Sequence, residues 1–323
     1  MQKLAKALFL FLIIACGSDT GSKIISSSGV IDPNTGNGGN DGNGGDDSIP
    51  DLVVELISSY NDDTASFSTV FGNYTRSFIV HTPPNYDSNN GPIPLLFVLH
   101  GYTGQAPGIR NYSGFDSIAD EENFIVVYVQ GVADQITNNT GWNAGVGTFT
   151  NVDDVGLFSA LIKYFKGNYN IADSKIFSTG MSMGGFMSYR LACELEEINS
   201  IGSVTGSMAA YYNCVPPNQK SIIHFHGTAD TVVPYNGNSW SINVENVHSL
   251  WANHNECQNN SEVTIPDFNG DGVLSTQLTS YDCNGNREVI LYTMENEGHT
   301  WFKKEWGHDV DTSRLIWEFF KDK

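Results

Sequence analysis

From residue 52 onward the chain alternates two patterns: short, nearly unbroken apolar runs, and longer stretches in which apolar residues return every three or four positions. The first pattern predicts strands covered on both faces, and the second predicts amphipathic helices. The expected central strands are residues 94–99, 124–129, 175–179, 202–207, 221–225 and 288–294, of which the first, second, third and fifth carry the near-continuous apolar cores. The expected helices are 116–123, 155–165, 185–196, 244–253 and 311–321. Two strand-like runs over 67–71 and 74–82, separated by Gly72-Asn73 and closed by Pro83-Pro84, predict an antiparallel hairpin. Strand-helix alternation of this kind implies an α/β fold: a mostly parallel central sheet with helices on both faces and the N-terminal hairpin at one edge.

Upstream the pattern disappears. Residues 29–47 are almost entirely Gly, Asn, Asp and Thr, a composition with no apolar surface to bury, and they read as a flexible tether. Before it, Lys3 and Lys6 precede an apolar run, residues 7–15, that ends at Cys16. A bilayer-spanning helix needs roughly 20 apolar residues, so this run reads as an export signal. Its end, Ile13-Ile14-Ala15-Cys16, resembles the bacterial lipobox, which implies cleavage before Cys16 and lipidation of that cysteine. The expected organisation is a signal over 1–15, a lipid-anchored tether over 16–51 and one folded domain over 52–323. Contact with a membrane is expected only through that anchor, with the protein outside the cytoplasm or secreted.

Composition narrows the partners. With 40% hydrophobic residues in 323 the chain can build a sizeable core, and 16 basic against 36 acidic residues give a net charge of -20. That balance argues against nucleic acid or anionic surfaces. Removing Cys16 leaves four cysteines, which allow three pairings after export. Cys193 with Cys214 and Cys257 with Cys283 close short loops that do not cross, and these are the expected disulfides.

The chemistry centres on Gly180-Met181-Ser182-Met183-Gly184. A strand-like run precedes this Gly-x-Ser-x-Gly and a helix-like run follows, the setting of a nucleophile elbow. A serine hydroxyl needs a base, and the base needs an acid to hold its tautomer. In α/β-hydrolases the chain order is Ser, acid, His. Asp230 and His299 each follow a predicted strand end, which makes Ser182, Asp230 and His299 the expected catalytic set. The backbone N–H groups of Met183 and Tyr102 are the expected oxyanion donors, the second from the loop His100-Gly101-Tyr102-Thr103-Gly104. His100, Trp142 and Trp301 are candidates to line the substrate cleft, with Trp240 a further aromatic to consider.

Other residues have plainer readings. His308 lies far from its strand, Asp153 and Asp154 stand where helix caps belong, and His224 with His226 lack further metal ligands. The Asp267-Phe268-Asn269-Gly270-Asp271-Gly272 run begins like a calcium loop, but Leu278 occupies the twelfth position where a bidentate Glu is needed. It reads as a polar turn. No metal and no cofactor are expected.

Taken together, His81-Thr82-Pro83-Pro84-Asn85-Tyr86, Leu99-His100-Gly101, Tyr128-Val129-Gln130-Gly131, Asp153-Asp154-Val155-Gly156, the serine pentapeptide, His226-Gly227-Thr228-Ala229-Asp230 and Gly298-His299-Thr300-Trp301 resemble the esterase family that groups polyhydroxybutyrate depolymerase-like proteins with feruloyl and acetylxylan esterases. The resemblance implies an α/β-hydrolase fold and a secreted serine esterase, with Ser182, Asp230 and His299 as its triad. Its implied substrate is an esterified polysaccharide bearing feruloyl or acetyl groups. A polyhydroxyalkanoate or other polyester is the alternative, and a non-catalytic carbohydrate-binding surface protein is the alternative of another class. Met183 departs from the asparagine often found after the nucleophile, and residues 302–306 depart from the proline that commonly follows Gly-His-Thr-Trp.

Overall fold

The computed structural model describes residues 49–323 apart from 62, 136, 148 and 150. The signal, Cys16 and most of the tether lie outside the described residues. Three strands open the domain, β1 (Val54–Ser59), β2 (Thr64–Phe71) and β3 (Tyr74–His81), followed by β4 (Ile93–Leu99), α1 (Ala106–Ser113), α2 (Phe115–Glu122) and β5 (Ile125–Val129). A two-stranded ribbon, β6 (Val132–Ala133) with β7 (Thr140–Gly141), precedes α3 (Asp154–Asn168), β8 (Ile171–Met181), α4 (Met183–Glu194) and β9 (Ser200–Val204). Then come β10 (Ser221–Gly227), α5 (Val244–His254), β11 (Asn259–Thr264), β12 (Thr276–Tyr281), β13 (Val289–Met294) and α6 (Thr312–Lys321).

Eleven of these strands form one sheet in the order β1-β2-β3-β5-β4-β8-β9-β10-β13-β12-β11. The pairings from β5 through β4, β8, β9 and β10 to β13 are all parallel. Both flanks are antiparallel, β1 to β3 on one side and β12 with β11 on the other. The sheet is therefore mixed, with the parallel centre and edge hairpin that the apolar runs predict and a second antiparallel flank that they do not. The reason is visible in burial: every residue of β5, β9 and β10 is buried, whereas every residue of β11 is exposed. A strand with no apolar face carries no periodic signal.

Helices cover both faces. Leu157, Leu161 and Phe165 of α3, Phe186 and Leu191 of α4 and Trp251 of α5 pack one side. Ile109 of α1, Phe115 and Ile118 of α2, and Ile316, Trp317 and Phe320 of α6 pack the other. Cys193 is bonded to Cys214 and Cys257 to Cys283, as expected, tying the end of α4 and the end of α5 to the loops beyond them.

This topology brings the carboxyl ends of β4, β8, β10 and β13 to one edge of the sheet. Ser182, Asp230, His299 and the 100–104 loop all follow those ends.

Candidate active site

Ser182 links the end of β8 to the start of α4 with φ 54° and ψ -123°. A side-chain-bearing residue rarely adopts such a backbone, and it persists only where surroundings enforce it. They do so here through three backbone bonds: Ser182 N–H donates to the Val204 carbonyl at 2.9 Å, and the Ser182 carbonyl accepts from Gly185 at 2.8 Å and Phe186 at 3.1 Å. Close packing explains the glycines. A Cβ on Gly184 would sit 2.3 Å from the Leu99 carbonyl oxygen, and one on Gly180 would sit 2.7 Å from the same atom. The elbow is pressed against the end of β4.

That contact also places the 100–104 loop over the serine: a Cβ on Gly101 would lie 3.2 Å from Ser182 Cβ and 3.8 Å from its Oγ. His100 is buried, only 1% exposed, and holds this loop's shape. Its Nε2 accepts the Gly131 N–H at 2.9 Å, so the ring proton is on Nδ1, which donates to the Gly101 carbonyl at 2.7 Å. Gly104 N–H reaches the same carbonyl at 2.9 Å. Because a trans peptide directs its C=O and N–H to opposite sides, fixing the Gly101 carbonyl also fixes the Tyr102 N–H. Burial, outweighing the bond to Gly101 and aided by the charge of Arg76, pulls the His100 pKa down to about 4, so the ring is a neutral structural donor near pH 7.

Asp230 and His299 are joined directly: His299 Nδ1 donates to Asp230 Oδ2 at 2.7 Å. The other carboxylate oxygen, Oδ1, accepts the N–H groups of Val232 at 2.8 Å and Val233 at 2.9 Å. Burial pushes the Asp230 carboxyl up, but the bonds from His299, Val233 and Val232 outweigh it and hold it below the usual carboxylate value. The carboxylate is thus ionised and committed to one imidazole nitrogen. A Cβ on Gly227 would stand 2.1 Å from the Glu297 carbonyl oxygen, so only glycine lets the Asp230 and His299 loops meet.

Several sequence expectations need correction. His100 and Trp142 are 1% and 0% exposed, and Trp301 is 0% exposed, so none of the three lines an open cleft. Trp142 instead donates from Nε1 to the His100 carbonyl at 2.8 Å, and Trp301 donates from Nε1 to Ser313 Oγ at 2.9 Å. Their motifs mark the supports of the site. Trp240, 38% exposed, is the one of the tryptophans considered that reaches the surface. Asp153 caps α3 by accepting the Gly156 N–H at 2.8 Å, but Asp154 does not act as a simple cap. Fully buried, it pairs with Arg76 at 2.6 Å and accepts the Asn143 N–H at 2.7 Å, anchoring the segment beside Trp142. Removing one partner of such a pair strands a buried charge, at about 3–5 kcal/mol.

His308 bonds to Glu297 at 2.7 Å and stands apart from Asp230. The Asp267 carboxylate accepts the N–H groups of Gly270 and Gly272, as a polar turn does. Met183 is buried beneath the β7 region, with its sulfur accepting the Trp142 N–H at 3.3 Å. Sequence reasoning missed the contributions of Gln130 and Gly131, both of which hydrogen-bond the His100 ring. The Val129-Gln130-Gly131 run after an apolar strand was the available signal.

The chain is similar to known esterases over most of its described length. Residues 68–266 match the Esterase family. The chain is 31% identical over 226 residues to "Probable feruloyl esterase C" of Aspergillus flavus, covering 69% of this chain and 76% of that protein. It is 26% identical over 263 residues to feruloyl esterase D of Neurospora crassa, covering 76% of this chain and 81% of that protein. The solved acetyl xylan esterase of Aspergillus awamori has the same α/β-hydrolase fold, with a TM-score of 0.53 at 14% identity over 84% of this chain and 100% of that one.

Proposed function

The chain belongs to the Esterase family and is a serine carboxylic ester hydrolase, and on that premise we propose that Ser182, Asp230 and His299 carry the hydrolysis through an acyl-enzyme. The observation that carries the assignment is the Asp230–His299 bond at the sheet edge where strained Ser182 emerges. With Nδ1 committed to Asp230, His299 has only Nε2 free to accept a proton, so it acts as base toward the Ser182 hydroxyl. Serine Oγ attacks the ester carbonyl carbon, and the carbonyl oxygen becomes the oxyanion. Tyr102 and Met183 donate their backbone N–H groups to it; neither N–H has a hydrogen-bond partner among the described residues. His299 then passes its proton to the departing alcohol, and water repeats the sequence on the acyl-enzyme.

The substrate class in this reading is polysaccharide bearing feruloyl or acetyl esters. Its feruloyl arm is supported by the names of the two sequence relatives. Export, lipidation of Cys16 and a tether over 16–51 belong to the same reading, and the two disulfides fit a protein folded in an oxidising compartment. The test is product analysis by mass spectrometry on feruloylated, acetylated and polyester polymers, with wild type and Ser182→Ala side by side. Wild type is expected to release ferulic acid or acetate and Ser182→Ala neither. Full activity in Ser182→Ala would overturn the mechanism, and release of hydroxy acids from polyester alone would overturn the substrate.

A further inference from the structure

Behind Asp230 runs a line of buried polar side chains that the proposed mechanism leaves unused. Tyr189 on α4 meets His224 Nδ1 at 3.0 Å, His224 Nε2 meets His226 Nδ1 at 3.1 Å, and His226 Nε2 meets the Val233 carbonyl at 2.8 Å. The three side chains are at most 2% exposed. A carbonyl oxygen only accepts, so the last contact fixes the direction of every other one. His226 carries its proton on Nε2 and accepts at Nδ1; His224 therefore donates from Nε2 and accepts at Nδ1; Tyr189 therefore donates its hydroxyl proton.

We propose that His226 is a positioning residue for the reaction, holding the turn that aims Asp230 at His299, while His224 and Tyr189 set its tautomer. The inference rests on the triad reading above. The mechanical link is the Val233 residue: its N–H binds Asp230 Oδ1 at 2.9 Å and its C=O is held by His226. The same His226 Nε2 lies 3.5 Å from Asp230 Oδ2, the oxygen that faces His299. Without that N–H, no side-chain hydrogen bond from β10 to the 230–233 turn is left among the described residues, and only the Asp230 N–H bond to the Gly227 carbonyl at 3.2 Å joins the two.

All four ring nitrogens of the pair are taken up in hydrogen bonds. The two facing imidazole nitrogens are hydrogen-bonded to each other, and no cluster of three His, Cys, Asp or Glu side chains suited to a metal surrounds them among the described residues. Burial holds both rings below the usual histidine value and keeps them neutral.

Two measurements test the inference. Long-range proton–nitrogen NMR of the wild-type protein is expected to show His224 and His226 both neutral and both protonated on Nε2 at pH 6–8; a charged ring or an Nδ1–H tautomer at either would overturn it. In kinetics on a small aryl ester, His226→Phe is expected to lower kcat about 10-fold, the scale of one lost buried hydrogen bond, with KM within about twofold. His226→Gln, which retains an N–H donor, is expected to recover part of that loss. A kcat for His226→Phe equal to wild type would overturn the positioning role. Asp230→Asn measured alongside separates the two levels: if it is inactive while His226→Phe is fully active, this inference alone fails, and if it is fully active the triad reading fails with it.

Discussion

Asp230→Asn changes one atom type and keeps the volume, and the structure dictates how the new amide must sit. Placing its NH2 group at the Oδ1 position would oppose the N–H groups of Val232 and Val233, now 2.8 Å and 2.9 Å from that oxygen. Each lost buried bond costs about 1–3 kcal/mol. The amide oxygen therefore takes the Oδ1 position and NH2 faces His299. Nδ1 of His299 must then accept, which moves the ring proton to Nε2, the nitrogen that has to accept the Ser182 proton. The base is lost although nearly every contact survives. The expected result is a fall in kcat of about ten-thousandfold, the scale of a wrong-tautomer substitution in a serine triad, with stability changed by about 1 kcal/mol or less. Initial rates on 4-nitrophenyl acetate measure the loss, near-UV circular dichroism and thermal melting check the fold, and NMR reads the His299 tautomer. A folded variant that retains a tenth of the wild-type kcat would refute the reasoning.

Three further outcomes follow from packing and burial. Gly184→Ala would place Cβ 2.3 Å from the Leu99 carbonyl oxygen, so α4 cannot stay seated on β4, and a loss of about 3 kcal/mol or more is expected in denaturant melts; Gly108→Ala in α1, with open space around its Cβ, is expected to gain about 0.5–1 kcal/mol. Lys220, whose ammonium donates to the Leu195 and Glu196 carbonyls, is lowered by burial to about 8 against 10.5 for a free lysine. Between those values the unfolded chain holds the extra proton, so stability should rise with pH by at most about 1.4 kcal/mol per unit, and Lys220→Met should remove that rise in melts run from pH 8 to pH 10.

The legible parts of the fold are those with a strong burial signature. β4, β5 and β10 are buried along nearly their whole length, and their apolar runs announce them. Missed elements have a physical reason in common. β11 is exposed throughout and has Val263 as its one apolar residue, β1 has one half-buried residue and five exposed, and α1 begins Ala106-Pro107-Gly108, which reads as a loop until the buried Ala106 and Ile109 are seen to pack on the sheet. Edge strands gain their order from hydrogen bonds to a neighbour rather than from burying side chains, so their residues are free to be polar.

At the site the same division holds. Local sequence decides whatever is written along the chain: the Gly-x-Ser-x-Gly pattern between a strand and a helix, the order Ser, Asp, His, and the fall of each after a strand. Side-chain roles that depend on distant partners are invisible to it. Asp154 sits in a capping position yet answers to Arg76, 78 residues away, and Trp142, the aromatic of a candidate cleft, is a buried donor to His100. His226 carries the same lesson, since only the fold reveals that its proton must point at Val233. A sequence specifies which groups are available and how the backbone must turn around them. Which atom each group faces, and hence which proton each ring carries, is settled only when strands from across the chain are brought within about 3 Å of one another.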